Sequence, residues 1–168
     1  MGDALGQLLC GFCLQQKKRN EEALEMYEKA AEQKDGTAIM LLTNAYMYGK
    51  MGLKRDYGKM RYWLELGLES NIPLMYNIQG FCYEYGRGFT KNMVEAMHCY
   101  EKALQGGVCE SAFNLGRFYE NGYVVEIDTN KAIEMYLKAI ELGSGEHKAA
   151  SRRLKKLGYK NINATSLV

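Results

Sequence analysis

The chain has almost no proline and little net charge. It contains a single proline in 168 residues, and proline is the residue that a helix interior tolerates least. The 22 basic and 20 acidic side chains leave a net charge of +2. We therefore expect a mostly helical protein, and the charge balance implies neither nucleic acid nor an acidic membrane as its partner.

Long apolar stretches are also missing. No window approaches the roughly 20 uninterrupted apolar residues that cross a bilayer. The N-terminal sequence MGDALGQLLCGFC has an early aspartate and no basic residue, unlike a secretory signal. The five cysteines are an odd number at uneven spacings, which suits a reducing compartment better than a disulfide framework. We expect a cytoplasmic protein that does not insert into membranes.

Residues that carry catalysis are scarce. Only His98 and His147 are present, and neither has the spacing of a known metal or nucleophile site. His98 with Cys99 and Glu95 is a minor alternative as a metal site. The motif Cys10-Gly11-Phe12-Cys13 lacks the strand and helix context of a redox motif, so we interpret its cysteines as small packing residues of a helix. We expect no enzyme activity, no cofactor and no metal.

What the chain does contain is a repeat. One series of small or apolar residues stands at intervals of 37, 36 and 36 residues: Ala23, Met60, Ala96 and Ala132. A second series follows each of these by four residues and is mostly aromatic: Tyr27, Leu64, Tyr100 and Tyr136. A third series consists of small residues: Thr43, Gly80 and Gly116. A fixed period of 20 to 50 residues indicates a solenoid, in which each unit buries its apolar face against its neighbours.

The composition of one repeat indicates how its helices pack. Ala112, Leu115, Gly116 and Tyr119 lie at i, i+3, i+4 and i+7, which puts them on one face of a helix. A mid-helix glycine costs about 1 kcal/mol relative to alanine, so its recurrence needs a compensating reason. Because glycine has no Cβ, a tyrosine of the facing helix can fill the space above it.

Turn residues mark the ends of the helices. The first helix of a repeat ends at a glycine that can adopt positive φ: Gly49, Gly86 or Gly122. The second helix begins at a residue whose side chain can accept a backbone N–H: Asp56, Asn92 or Asp128. Helices of about 12 residues are marginal alone, so neighbouring repeats must supply most of the stability.

These residues resemble the Sel-one-like repeat (SLR), a relative of the tetratricopeptide repeat (TPR). The segment AFNLGRFYENG at 112–122, followed by Asp128, Ala132 and Tyr136, matches the SLR pattern closely, and residues 80–107 match nearly as well. The resemblance covers about residues 4–143. It implies antiparallel helix pairs that are stacked into a curved superhelix and used to bind proteins or peptides.

Two units differ from the pattern. The unit at 38–71 has Thr43 in place of the helix glycine and Leu64 in place of the tyrosine, so we expect altered packing there. In the first unit Gly11 lies only 12 residues before Ala23, against 16 for the corresponding pair in the fourth unit. The first unit therefore has the shorter inter-helix turn of a TPR.

The resemblance predicts an all-α fold, an α/α superhelix (solenoid) of about four SLR/TPR-like antiparallel helix pairs with a C-terminal capping helix. We predict a single domain over residues 1–158, with units at about 4–36, 37–71, 72–107 and 108–143, a cap at 144–158 and a tail at 159–168. The cap has an apolar stripe and an otherwise basic surface, which suits a terminal unit, although an interaction patch is an alternative. In the tail, Ser166-Leu167-Val168 has the outline of a PDZ ligand, a minor alternative to an unstructured end.

The resemblance also places the partner-binding surface on the first helices, which line the concave face in this family. Beside the packing positions the repeats present rows of residues that we predict to form the groove: Phe12, Asn44, Phe81 and Arg117; Asn77 and Phe113; Gln15, Met47, Glu84 and Glu120. Phenylalanine and arginine carry much of the free energy of binding at protein interfaces when they anchor a partner. The alternative is that the phenylalanines pack between adjacent units.

The leading functional hypothesis is a non-catalytic adaptor or scaffold for a protein or peptide partner whose identity the sequence does not specify. We expect a monomer, with a dimer as the alternative. Two other classes remain. Some SLR proteins are linked to cell-wall metabolism, which leaves an enzyme-like module open. A helical-repeat RNA binder would need a basic concave stripe, whereas one row contains Met47, Glu84 and Glu120.

Overall fold

Several helices begin or end at the capping residues that the sequence predicts. The computed structural model describes residues 2–143 and 145–159, and over these residues it contains nine α-helices and no strand. The helices are α1 (Ala4–Gln16), α2 (Asn20–Glu32), α3 (Gly36–Tyr48), α4 (Tyr57–Glu69), α5 (Pro73–Tyr85), α6 (Met93–Gln105), α7 (Cys109–Asn121), α8 (Thr129–Glu141) and α9 (His147–Lys156). We call α1, α3, α5 and α7 the first helices, and α2, α4, α6 and α8 the second helices. The predicted all-α repeat fold is confirmed.

Three of the second helices start with the predicted side-chain caps. The carboxylates of Asp56 and Asp128 accept the backbone N–H three residues on, at 3.0 and 2.9 Å. Asn92 Oδ1 accepts from the N–H groups of Val94 and Glu95 at 3.1 and 3.2 Å. These bonds satisfy donors that a helix leaves open in its first turn.

The loops between first and second helices share one design. Gly49, Gly86 and Gly122 adopt positive φ, at 66°, 67° and 64°, as predicted for helix ends. Each loop then returns to the first helix through a backbone bond of 3.0 Å, from the N–H of Asp56, Asn92 or Asp128 to the carbonyl of Tyr46, Tyr83 or Tyr119. In the first repeat only residues 17–19 separate α1 from α2, so the shorter TPR-like turn is confirmed.

Glycines of the first helices face buried tyrosines of the second helices. The pairs are Gly11 with Tyr27, Gly80 with Tyr100 and Gly116 with Tyr136, and all three rings are fully buried. A Cβ on Gly80 or Gly116 would lie only 2.8 or 2.6 Å from a ring carbon, and on Gly11 closer still. Glycine is required here because the ring occupies the volume of the missing side chain.

The second repeat packs differently, as its sequence predicts. The hydroxyl of Thr43, which replaces the helix glycine, donates to the Ile39 carbonyl of its own helix at 2.8 Å. Leu64 takes the place of the buried tyrosine and is itself fully buried. The glycine that lies against a bulky side chain here is Gly67 of α4, where a Cβ would overlap the side chain of Met75.

The described residues fall into two compact units. Unit 1 comprises Met1–Met75 and Gly86–Thr90, and unit 2 comprises Tyr76–Tyr85 and Lys91–Val168. Unit 1 thus contains α1 to α4 and the loop after α5, and unit 2 contains most of α5 and α6 to α9. The single domain over residues 1–158 stays a prediction.

Helix α9 closes the core of unit 2. Ala150 and Leu154 are fully buried in a cluster with Ala132, Tyr136 and Ala139, and Leu157 and Tyr159 pack against that cluster. The predicted apolar stripe of the cap is therefore confirmed. Most of the predicted tail, residues 160–168, lies outside the described residues, and so does the Ser166-Leu167-Val168 motif.

Candidate interaction surfaces

Unit 1 carries four of the predicted first-helix residues. Phe12 is 36% exposed, and its ring meets Tyr27 edge-on with the centroids 5.6 Å apart. The Tyr27 hydroxyl donates to Gln15 Oε1 at 2.8 Å. Gln15 and Asn44 line a groove of about 450 Å³, whereas Met47 is buried in the core. Three of the four side chains therefore reach the surface of unit 1.

In unit 2 the predicted residue Glu84 lies inside the repeat. The Tyr100 hydroxyl donates to Glu84 Oε2 at 2.8 Å, and the Arg117 guanidinium forms a salt bridge with Glu84 Oε1. Arg117 also donates to the Tyr85 hydroxyl at 3.2 Å. Glu84 is only 4% exposed. Its carboxylate joins the second helix of its own repeat to the first helix of the next.

Glu120 repeats this arrangement one period later. The Tyr136 hydroxyl donates to Glu120 Oε2 at 2.6 Å, and Arg153 Nη1 donates to Oε1 at 3.1 Å. Lys156 Nζ lies 3.5 Å from the same oxygen. We call Tyr100–Glu84–Arg117 and Tyr136–Glu120–Arg153 the two Tyr–Glu–Arg triads. The second triad is more exposed to solvent, because the Arg153 side chain is 37% exposed against 17% for Arg117.

Burial, neighbouring charges and hydrogen bonds shift the pKa values of the triad residues. Burial raises the pKa of Tyr100 and Tyr136, and the neighbouring glutamates raise it further. Burial alone would raise the pKa of Glu120, but the hydrogen bond from Tyr136 and the charge of Arg153 bring it below its usual range. Burial would likewise lower the pKa of Arg117, yet Glu84 holds it above its usual value. A buried charge is stable in a protein only when it is paired and hydrogen-bonded in this way.

Asn77 provides a second polar link between α5 and α7. Its Oδ1 accepts from Ser111 Oγ at 2.9 Å and from Asn114 Nδ2 at 3.2 Å. Asn114 Oδ1 in turn accepts from Arg117 Nη1 at 3.3 Å. The predicted residues Asn77, Glu84 and Arg117 thus belong to one hydrogen-bonded system that fixes the guanidinium of Arg117.

A groove opens where α5 and α7 end. Its volume is about 400 Å³, and it is lined by Glu84, Tyr85, Lys91, Met93, Arg117 and Tyr123. We call it the Arg117 groove. Tyr85 and Tyr123 are 50% and 45% exposed, and the half-buried Phe81 packs against Tyr85 with the ring centroids 4.7 Å apart. The structure therefore brings Glu84 and Arg117 together at one groove, and Phe81 packs behind its Tyr85 ring.

Phe113 belongs to the interior packing of unit 2 rather than to this groove. Its ring lies against Tyr136 with the centroids 5.6 Å apart, and it packs on the cluster that α9 closes. Tyr136 belongs to the same unit as Phe113, so this ring contact differs from the packing between adjacent units that the sequence left open for the phenylalanines.

A second groove lies between the second helices α6 and α8, where the sequence predicted no site. It has a volume of about 520 Å³, an apolar floor and a charged rim, and it is lined by Glu101, Leu104, Gln105, Leu115, Tyr119, Lys131, Glu134, Met135 and Lys138. We call it the outer groove. One sequence signal could have indicated it. The repeat position that holds Cys99 in the third repeat holds Met135 in the fourth, so the size of the side chain at this position changes between α6 and α8.

The cysteines show where one sequence interpretation was wrong. Cys10 and Cys13 are both exposed, so they do not pack in the helix interface, which Leu8 and Gly11 occupy instead. Cys99 is buried beside Gln79, and burial with the nearby charge of Glu95 raises its pKa to about 11.

The part of the chain that the structure describes has neither a metal-ligand group nor a membrane-spanning helix. Across residues 2–143 and 145–159 no group of three or more His, Cys, Asp or Glu side chains could hold a metal ion. In the same part of the chain no helix combines the length and the apolar character needed to cross a membrane.

Comparison with known proteins identifies the class. The Sel1 repeat family model matches residues 4–35, 38–71, 80–108 and 109–144. The chain belongs to the Sel1 repeat family, whose members are helical-repeat proteins that generally mediate protein–protein interactions. Three matched segments coincide with the helix pairs α1–α2, α3–α4 and α7–α8, and the third segment, 80–108, begins in the middle of α5 and includes α6.

Particular relatives come from plants, animals and bacteria. The chain is 32% identical over 96 residues to the ERAD-associated E3 ubiquitin-protein ligase component HRD3A of Arabidopsis thaliana, covering 56% of this chain and 14% of that protein. It is 26% identical over 125 residues to human Protein sel-1 homolog 2, covering 74% of this chain and 18% of that protein. The chain therefore spans less than a fifth of the length of these relatives.

Two solved structures share the fold over 98% of the chain. A Sel1 repeat protein from Oxalobacter formigenes has a TM-score of 0.81 at 26% identity, and the match covers 69% of that chain. A protective antigen of uropathogenic Escherichia coli strains that displays an SLR fold has a TM-score of 0.78 at 26% identity, and 36% of it is covered.

Proposed function

We propose that this chain is a non-catalytic adaptor that binds a protein or peptide partner through the first-helix face of its repeats, with the Arg117 groove as the main anchoring point. The observation that carries the proposal is the composition of that groove. Two half-exposed tyrosines flank an arginine whose guanidinium is already fixed by Glu84. Tyrosine and arginine are the types that most often carry the free energy of binding at protein interfaces.

Preorganisation supports the same conclusion. A free arginine side chain loses rotamer freedom when a partner immobilises it, at about 0.5–1.5 kcal/mol. In unit 2 the bonds to Glu84, Asn114 and Tyr85 have already fixed Arg117. A partner therefore meets a rigid surface and loses less entropy on binding.

The groove also indicates the chemistry of the partner. Arg117 is neutralised by Glu84, so the groove does not select strongly for a free carboxylate. The Tyr85 and Tyr123 rings and the Met93 side chain fit an apolar or aromatic side chain. The phenol groups and Lys91 suit the carbonyl oxygens of a peptide backbone. We infer a partner segment that inserts one large apolar residue between hydrogen-bonding carbonyls.

The remaining predicted residues have two roles in this proposal. Gln15 and Asn44 belong to the binding face of unit 1, and Phe12 lies on the neighbouring apolar face of α1. Met47, Asn77, Glu84, Phe113 and Glu120 support the face from within. A single repeat domain and a cytoplasmic location remain part of the proposal, the latter because of the odd number of cysteines. The name of the plant relative, a ligase component, supports a role in assembling complexes.

Affinity capture with matched tyrosine variants tests the proposal. The double variant Tyr85→Ala/Tyr123→Ala removes both rings of the Arg117 groove. The control Tyr62→Ala removes a tyrosine that is 58% exposed on the second helix α4. We expect the double variant to lose at least about 30-fold in affinity for a captured partner, which corresponds to about 2 kcal/mol, and the control to bind normally. Unchanged binding by the double variant would overturn the proposed site.

A further inference from the structure

Helix α1 differs from the other first helices in its exposed face, although like α3 it carries no charged side chain. Its thirteen residues, ALGQLLCGFCLQQ, include no charged side chain. One face, with Leu8 and Gly11, is buried against α2. A helix without charges that is apolar beyond its packed face is ordinarily covered on more than one side.

A second apolar face of α1 is open. Leu5, Leu9 and Phe12 are 60%, 54% and 36% exposed, and their spacing of i, i+4 and i+7 places them in one stripe. The other exposed aliphatic side chains of the described residues stand singly, as Val94, Ile127 and Leu142 do. Single exposed apolar residues are ordinary on a protein surface, whereas a continuous stripe indicates an interaction site.

The repeat register shows what kind of surface this stripe is. Phe12 follows Gly11 as Arg117 follows Gly116, and Leu9 precedes that glycine by two residues as Asn114 does. In unit 2, Asn114 and Arg117 are covered by another first helix, through Asn77 and Glu84 of α5. The stripe on α1 therefore continues the interface by which first helices pack on one another.

The chemistry of the stripe limits what can cover it. In unit 2 the covering helix presents Asn77 and Glu84 to polar partners, whereas Leu5, Leu9 and Phe12 offer no hydrogen bond. A covering helix must therefore present an uncharged, apolar face. Helix α1 itself has such a face, and a contact between two copies of the same surface closes on itself about a two-fold axis.

We propose that this chain forms a two-fold homodimer in which the α1 stripe of one copy packs antiparallel on the α1 stripe of the other. Leu9 lies in the middle of the stripe and is placed at the axis. The sequence favoured a monomer with a dimer as the alternative, and the exposed stripe favours the dimer.

Sedimentation velocity on the full chain tests the dimer between about 1 and 100 µM. We expect the wild type to shift from 19.1 kDa toward twice that mass as concentration rises. Leu5→Glu/Leu9→Glu should stay monomeric, and the control Val94→Glu should dimerise like the wild type. A wild type that stays monomeric throughout would overturn the proposal, as would a double variant that dimerises equally well.

A cross-linking experiment avoids dependence on the folding of the charged variant. Leu9→Cys, in a background with Cys10 and Cys13 changed to serine, places one thiol at the axis. We expect oxidation to yield a covalent dimer at least ten times faster than for Val94→Cys in the same background. Equal rates for the two variants would contradict the α1 contact, and so would cross-linking of Leu9→Cys only to a different protein in a cell extract.

Discussion

The second and third repeats fill the same interior position in opposite ways. In unit 1 the second repeat has Met47 and Leu64 there, and both are buried among apolar neighbours. In unit 2 the third repeat has Glu84 and Tyr100 at the equivalent positions, with Arg117 completing the Tyr–Glu–Arg triad. The fold therefore accepts either an apolar or a charged solution at one site.

The difference shows what the polar solution contributes. An apolar pair stabilises by removing surface from water and has no strong directional preference. A buried ion pair gives little net stability over such a pair, but losing one member leaves an uncompensated charge. The triads of unit 2 therefore fix the orientation of side chains, above all Arg117, rather than adding stability. The charged solution occurs where the candidate binding groove lies.

Removing the acid of a triad should have the largest effect. Glu84→Ala leaves the Tyr100 hydroxyl and the Arg117 guanidinium without their shared acceptor, so we expect a loss of about 3–5 kcal/mol in the free energy of unfolding. Glu120→Ala should lose only about 1–2 kcal/mol, because Arg153 can be rehydrated. Urea denaturation of both variants measures the difference. Equal losses would contradict the role assigned to burial of the cation.

The glycine–tyrosine contact should have the next largest effect. Gly116→Ala adds a Cβ 2.6 Å from a carbon of the Tyr136 ring, so we expect a loss of about 1–3 kcal/mol from overpacking. The matched control is Gly58→Ala on the exposed start of α4, where a Cβ meets only the Asp56 carboxylate at 3.3 Å. The control should be neutral or gain about 0.5 kcal/mol. Thermal and urea unfolding would measure both, and a neutral Gly116→Ala would show that the ring can move aside.

Removing a tyrosine hydroxyl should cost more stability when its acceptor is charged than when its acceptor is neutral. Tyr100→Phe removes a bond to the carboxylate of Glu84, and we expect it to cost about 1.5–3 kcal/mol. Tyr27→Phe removes a bond to the neutral amide of Gln15 and should cost about 0.5–1.5 kcal/mol. Chemical denaturation of the pair measures the contrast. A larger loss for Tyr27→Phe would refute the comparison.

The smallest predicted effect is on the pH dependence of stability. The pKa of Glu120 is lower in the folded chain than its usual value, and the unfolded value is about 4.3. Its contribution is therefore present above about pH 4.3 and is lost as the pH falls through the folded pKa. Glu120→Gln should flatten this part of the profile. Denaturation midpoints from pH 3 to 7 would test it, and parallel profiles for variant and wild type would contradict it.

Above neutral pH the two triad tyrosines should make the stability fall, not rise, as the pH increases. The pKa values of Tyr100 and Tyr136 are raised in the folded chain, so their contribution is present below about pH 10 and is lost above it. Tyr100→Phe/Tyr136→Phe should be less stable at neutral pH but lose less stability between pH 9 and 11. Equal losses for the variant and the wild type over that interval would contradict this assignment.

The parts of the fold that the sequence could predict are local or strictly periodic. The caps at Asp56 and Asp128 depend on neighbouring residues alone, and the pairing of Gly116 with Tyr136 recurs at a fixed spacing. The burial of Glu84 was harder to predict, because periodicity gives the face of a helix but not which side chain of the next repeat covers it. A readable signal existed all the same, since Glu84, Tyr100 and Arg117 recur together as Glu120, Tyr136 and Arg153.

Surface features were the least predictable part. Tyr85 and Tyr123 flank the capping glycines, and the repeat pattern does not constrain whether their rings face water. Cys10 and Cys13 stand beside the packed position of Gly11 but not on its face, so small size alone was a misleading criterion. Side-chain exposure at such positions depends on neighbours that are distant in sequence.

Hydrogen–deuterium exchange of the chain with and without its captured partner tests the central claim most directly. We expect slower exchange at the ends of α5 and α7, around Tyr85, Arg117 and Tyr123, with α8 and the C-terminal half of α6 unchanged. Protection confined to α6 and α8 around Leu104 and Met135, with the ends of α5 and α7 unaffected, would contradict it and assign binding to the outer groove.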